Sequence, residues 1–316
     1  MSFAPGSAPV PLPIADAAAL YSRPLDLIRH AVSRFEQAGL HYGHGTTCAL
    51  DEAAALVLGA LHLPPDMPDL YLQATLAPAE RTQVLELIER RVNERLPLPY
   101  LLGWCWYAGQ RFEVSADTLI PRSPLFEWIA EEGSPWLAQP PRRALDLCTG
   151  SGCLAILLAQ AFPEAQVDAS DISPAALEVA ARNVARHGLQ ERVRLLQGDG
   201  LAACGEARYD LILSNPPYVP AGEYAALPAE YGHEPRLALE AGDDGLDFVR
   251  GLLRAAPDYL NEGGLLVCEV GSAAMALDAL CTQWPLTWLD FETGGDGVFL
   301  ISREDLLAAL QATEGE

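Results

Sequence analysis

The stretch "LILSNPPYVP", residues 211–220, ends an apolar run in Asn215-Pro216-Pro217-Tyr218. Each proline lacks the N–H that a sheet ladder needs, so a strand is expected to stop there. One reading is a strand closed by a turn. The other is a strand end that delivers an amide, two fixed carbonyls and a ring to a cleft. The second has a definite chemistry. A planar nitrogen, in an amide or an aromatic amine, is a poor nucleophile because its lone pair is delocalised. Two acceptors that bind its two N–H bonds favour pyramidal geometry and stabilise the charge that grows during attack. The side-chain carbonyl of Asn215 and the carbonyl of Pro216 can form such a pair. Pro216 and Pro217 restrict the backbone, and Tyr218 can pack on the planar group. No strong general base is required, because the nitrogen becomes acidic once it has reacted.

The electrophile is sought at "LDLCTGSGCLA", residues 145–155, where Thr149 precedes Gly150-x-Gly152 between a strand and a helix. The glycines let the backbone approach a ligand, and the helix start offers spare N–H groups. Alone, this is a weak match to a dinucleotide fingerprint. Asp146 lies at the cleft end of the preceding strand, where a pyrophosphate gains nothing from a carboxylate. The sulfonium and amino group of S-adenosylmethionine would gain from it. Asp171 closes the next strand, about twenty residues after the glycines, the place of a ribose acceptor. Asp199, in "QGDG", closes the third, within reach of an adenine amino group. Each aspartate alone also suits a helix cap or a turn; acids closing three successive strands favour a cofactor cleft. A nicotinamide dehydrogenase shares the glycine turn but leaves Asn215–Tyr218 without a task.

These residues need a scaffold that brings strand ends together. From Arg142 onward strands and helices alternate: "RRALDLC", "AQVDASD", "VRLLQGD", "YDLILSN" and "GGLLVCEVG" read as strands separated by helical stretches. That order predicts an α/β fold, a doubly wound and mostly parallel Rossmann-like sheet with ligands at its C-terminal edge. "PLTWLDFETGGDGVFLIS" reads as a closing antiparallel hairpin. The helix "SPAALEVAARNVARHG" has Ser173 as its cap and Pro174 at its first position. Residues 15–95 are helical in pattern. Leu25, Ile28, Val32 and Phe35 fall on one stripe that stops at Gly39, and a third long helix runs over 78–96. The expected division is a helical substrate-recognition domain over 1–105, a hairpin connector over 106–120 and a methyltransferase domain over 121–316. About residues 1–14 read as a loose tail. "YGHGT", Tyr42–Thr46, is either a glycine turn with His44 on the surface or capping, or a substrate-contact loop through His44.

The chain of 316 residues is half hydrophobic and has 20 Lys plus Arg against 43 Asp plus Glu, a net charge of −23. Such a protein has no general attraction to phosphate backbones and suits a basic partner. Arg81, Arg90, Arg91 and Arg95 read as a solvated face of one helix. The seven cysteines form no C-x-x-C pair and the six histidines no ligand spacing, so no metal is expected. Free thiols suit a reducing cytoplasm. "MSFAPGSAPVPLP" lacks a positive start, and no apolar run reaches membrane-spanning length.

The sequence resembles the HemK/PrmB family of protein-(glutamine-N(5)) methyltransferases over nearly all of residues 20–305. The carrying stretches are "DLCTGSGCLAI", "DASDIS", "SNPPYV", "YGHEPRLALEAGDDGLD", "GGLLVCEVG" and "GGDGVFL". The resemblance implies S-adenosylmethionine contacts at Gly150, Gly152 and Asp171. It makes Asn215, Pro216, Pro217 and Tyr218 both catalytic and substrate-binding, with Asn215 also beside the cofactor. "HYGHGTTCALDEAAALVL", "RRVNERLPLPYL" and "LIPRSP" resemble the PrmB branch, which modifies the third large-subunit ribosomal protein. The release-factor branch is similar in the catalytic half and stays an alternative. "GDGLAACG" departs from the family in having Gly200 where a bulky apolar residue is common, which puts Asp199 in doubt. Nucleic-acid amino-methyltransferases use a similar segment, but they need a positive surface.

Overall fold

The computed structural model describes residues 12–314 in two compact units. The smaller comprises residues up to Gly103 together with Pro228–His233; the larger comprises Trp104–Leu227 and Glu234 onward. The first eleven residues of the expected tail lie outside the described residues. From Ile14 the chain is already helical.

The smaller unit contains α1 (Ile14–Leu20), α2 (Pro24–Ala38), α3 (Ala49–Ala60), α4 (Pro78–Glu94) and α5 (Leu98–Leu102). α2 starts with a proline in its first turn and stops at Gly39 in the left-handed region, as its sequence predicts. Its buried stripe is Leu27, Ile28, Ala31 and Phe35, whereas Leu25 is exposed. The expected stripe was rotated by part of a turn. The arginines of α4 are not a solvated face. Arg91 is buried and paired with Glu52 and Glu230. Arg81 donates to the carbonyls of Leu76 and Ala18, and Arg95 to those of Ala38 and Gly39. Arg90 alone of the four keeps to an exposed ion pair, with Glu94.

The larger unit begins with the hairpin β1 (Trp104–Tyr107) and β2 (Gln110–Glu113), then α6 (Leu125–Ala130). β3 (Arg143–Leu147), α7 (Cys153–Ala161), β4 (Gln166–Asp171), α8 (Pro174–Arg186), β5 (Val193–Gln197) and β6 (Tyr209–Ser214) follow. After α9 (Ala221–Tyr224) come α10 (Asp247–Tyr259), β7 (Leu260–Glu269), α11 (Ala274–Leu280), β8 (Thr287–Leu289), β9 (Val298–Ser302) and α12 (Arg303–Glu314). The seven-stranded sheet has the order β5-β4-β3-β6-β7-β9-β8. β5 to β7 are parallel; β9 is antiparallel to β7 and β8 to β9. This is the mostly parallel α/β sheet with a closing hairpin that the element order predicts. The last strand inserts beside β7 and leaves β8 at the edge.

Ile212, Leu266, Phe299 and Ile301 of the sheet share a core with Val249, Leu252 and Leu253 of α10, Leu277 of α11 and Leu306 of α12. Burial of such side chains, at about 1.5–3 kcal/mol each, holds the strands in register. The hairpin packs on α8. Glu113 and Asn183 exchange two hydrogen bonds, N–H to Oδ1 at 2.7 Å and Nδ2 to carbonyl at 2.9 Å, which fix β2 to α8.

Candidate active site

One cavity of the larger unit opens at the C-terminal ends of β3, β4, β5 and β6, where β3 turns into α7. Cys148, Gly150 and Gly152 all have positive φ there, and a Cβ on Gly152 would stand 3.1 Å from that of Ala180 in α8. The turn therefore takes backbone conformations that favour glycine, and Gly152 lets α7 approach α8 closely. Thr149, Gly150 and Ser151 line the cavity; Gly152 does not. Its part is to let α7 pack on α8.

Asp146 differs from expectation. It is fully buried, and one oxygen, Oδ2, accepts from the Thr149 hydroxyl at 2.5 Å and from the Ala155 N–H at 2.9 Å. It does not line the cavity. Rather than facing a cationic ligand, it braces the turn and the first turn of α7. Burial pushes its carboxyl up to about 7.

Asp171 ends β4 and lines the cavity. Its two oxygens accept the N–H groups of Gly150 and Ser173, each at 2.9 Å. Burial raises its carboxyl above the ordinary value. Each oxygen keeps a further lone pair for a ligand hydroxyl. Ser173 also caps α8, accepting from the Ala176 N–H at 3.2 Å, as expected. Asp199 is exposed after β5 and lines the same cavity. The apolar side chain missing at Gly200 is supplied from elsewhere: Phe248 of α10 comes within 4.0 Å of the position a Gly200 Cβ would take, and lines the cavity. Ile172, 47% exposed, adds an apolar surface beside Asp171.

Asn215 follows β6 and lines the cavity with Pro217; Pro216 is buried and Tyr218 half-buried, and neither lines it. Hydrogen bonding resumes at once beyond the prolines. The N–H groups of Tyr218 and Val219 both donate to the carbonyl of Leu239, at 3.1 and 2.7 Å. The Tyr218 hydroxyl donates to Glu269 at 2.8 Å. The structure thus brings Thr149, Gly150, Asp171, Asp199, Asn215 and Pro217 to one cavity, and holds Asp146, Gly152, Pro216 and Tyr218 behind its wall. His44 belongs to the helical unit, buried beside the Tyr231 ring at 4.6 Å between centroids. It is not a surface residue.

Sequence reasoning missed two stretches of the wall. Asp117 to Leu119 and Pro121 to Ser123 line one side, and Pro235, Leu237 and Ala238 another. They are joined by Glu234, whose carboxylate accepts the Ile120 N–H at 3.0 Å and the Arg122 guanidinium at 2.7 and 2.9 Å. "LIPRSP" and "YGHEPRLAL" carried the signal: a buried charge among prolines.

Two carboxylates, a glycine turn at a helix start and apolar surfaces of Ile172 and Phe248 suit a nucleoside whose far end carries positive charge. The Asn215 amide lines the same cavity at the end of β6. Sheet and cavity together define a Rossmann-like methyltransferase. Residues 135–228 match the family described as the methyltransferase small domain. The ribosomal protein uL3 glutamine methyltransferase of Bordetella pertussis is 52% identical over 283 residues, covering 89% of this chain and 95% of its own length. That of Xylella fastidiosa is 50% identical over 91% of this chain and 94% of its own. That of Xanthomonas campestris is 48% identical over 90% and 92%. The chain belongs to the family of ribosomal protein uL3 glutamine methyltransferases.

Proposed function

We propose that the chain methylates the side-chain nitrogen of a glutamine in ribosomal protein uL3, with S-adenosylmethionine as donor. The observation that carries this reading is the shared cavity of Asp171, Asp199 and Asn215. S-adenosylmethionine, when bound, supplies an activated methyl group. Asp171 would accept its ribose hydroxyls, Asp199 would lie toward the adenine, and Thr149 and Gly150 would border its charged end. The Asn215 side-chain carbonyl and the Pro216 carbonyl accept the two N–H bonds of the substrate amide. They hold the nitrogen in line for attack and stabilise its growing positive charge. The proton leaves afterwards.

Ribosomal protein is favoured over release factor by the naming of relatives about half identical to this chain. A basic substrate suits a chain of net charge −23, which speaks against nucleic acid as the substrate. The helical unit is the candidate for choosing the partner, with His44 and its neighbours as structural parts of it. Among the described residues no helix is long and apolar enough to cross a membrane. A cytoplasmic place fits seven cysteines without disulfides. Labelled S-adenosylmethionine offered with purified uL3, release factors or RNA side by side tests the reading. Label on a glutamine of uL3 is expected; preferential label on a release factor or RNA refutes it.

A further inference from the structure

Pro216 and Pro217 have no N–H to donate to the sheet, so the placement of Asn215 and Pro216 leans on anchors at either side. Upstream the anchor is β6, whose Ser214 pairs with Cys268 of β7. That pairing sets Glu269 beside the strand end that releases Asn215. Downstream the anchor is Tyr218, and it is held from every direction. Its N–H is bonded to Leu239. A Cβ on Gly245 would lie 2.2 Å from its carbonyl oxygen, and one on Gly271 would lie 2.4 Å from its ring. Its hydroxyl donates to Oε1 of Glu269.

Glu269 is 6% exposed. Its other oxygen, Oε2, accepts from the Ser123 hydroxyl at 2.5 Å, and Ser123 Oγ itself accepts the Leu125 N–H at 3.2 Å. Both oxygens of Glu269 are thus engaged, one by the Tyr218 hydroxyl and one by the Ser123 hydroxyl. A buried carboxylate is costly to desolvate, and a sheet strand does not need one. Ser123 lines the cavity, so Glu269 links a residue of the cavity wall to Tyr218 beyond the prolines. Burial raises its carboxyl, which the two hydroxyls and Arg122 oppose.

We propose that Glu269 is a positioning residue for the reaction: through the Tyr218 hydroxyl it fixes the direction in which Asn215 and Pro216 present their carbonyls. Tyr218 then serves as a backbone anchor, with its ring held against Gly271 rather than free to stack on substrate. This rests on the amide-methylation reading above.

The test compares full-length wild type, Glu269→Gln, Tyr218→Phe and the double variant, using uL3 and labelled S-adenosylmethionine. Displaced acceptors are expected to lower kcat roughly tenfold to a hundredfold. Cofactor affinity by calorimetry and KM for uL3 are expected to stay within about twofold, the split expected when alignment and not binding is lost. The double variant is expected to be no worse than the poorer single one. Crystal structures of the variants are expected to show the Asn215 side chain or the Pro216 carbonyl displaced. Wild-type kcat in either variant, additive losses, or an unmoved Asn215–Pro217 segment overturns the proposal. Should Glu269→Gln not fold, Tyr218→Phe, which removes one oxygen, decides it. Wild type inactive on uL3 would refute the functional reading instead, and the crystal structures would still decide the role of Glu269.

Discussion

Asp146 offers a measurement on the cofactor turn that needs no cofactor. Its carboxyl stands at about 7 in the folded chain against an ordinary 3.8, chiefly because of burial, with the charge of Asp171 adding to it. Between those values the native state holds a proton that the unfolded state has lost. Stability therefore falls as pH rises through the window from about 4 to about 7. Three units at 1.36 kcal/mol each set a ceiling on the order of 4 kcal/mol. Of this, about 2 kcal/mol falls between pH 5.5 and pH 8.

Asp146→Asn removes the titration and keeps the shape. Its carbonyl can still accept from Thr149 and Ala155, while its NH2 takes the place of Oδ1, which has no hydrogen-bond partner among the described residues. That buried donor costs about 1–3 kcal/mol independently of pH. Wild type is thus expected to lose about 2 kcal/mol more than the variant on going from pH 5.5 to pH 8. Denaturant unfolding at both pH values measures it, other titrations being common to both proteins. Parallel pH dependences would refute the reasoning and return Asp146 to an ionised, solvent-reached carboxylate.

Asn215→Ala is expected to bind S-adenosylmethionine normally by calorimetry and to lose methyl transfer by hundreds-fold, about 3–4 kcal/mol; an active variant would sink the mechanism. Asp171→Ala is expected to weaken S-adenosylmethionine binding by roughly 1.5–3 kcal/mol, and a fall in turnover alone would mean that its role is misassigned. In the helical unit, Arg91→Met leaves the carboxylates of Glu52 and Glu230 short of a partner, their side chains 3% and 0% exposed. A loss of about 3–5 kcal/mol in unfolding free energy is expected, and near-wild-type stability would show that the pair is dispensable.

The parallel sheet was legible because short strand-like runs alternate with helical periods, even though β4 carries Gln166, Asp168, Ser170 and Asp171. The hairpin was legible from alternation, but its docking was not, since that depends on Asn183, seventy positions from its Glu113 partner. The arginines of α4 misled for a similar reason. Apart from Leu76 and Glu94, their partners are far off in sequence: the carbonyls of Ala18, Ala38 and Gly39 and the carboxylates of Glu52 and Glu230.

At the site the same logic separates the aspartates. Asp171 and Asp199 sit where strands end, and a polar residue there meets the cavity by position alone. Asp146 lies inside β3, four of whose five residues are buried. In a strand covered on both sides, polar and apolar residues do not alternate, so nothing in "RALDL" says which way the carboxylate points. Tyr218 poses the matching problem beyond the prolines, where the chain leaves the sheet and its period no longer applies. Its direction is set by Leu239, Gly245, Glu269 and Gly271, which reach it from later in the chain. A short motif therefore identifies the chemistry that can be done, and the long-range partners decide which of its atoms face the substrate.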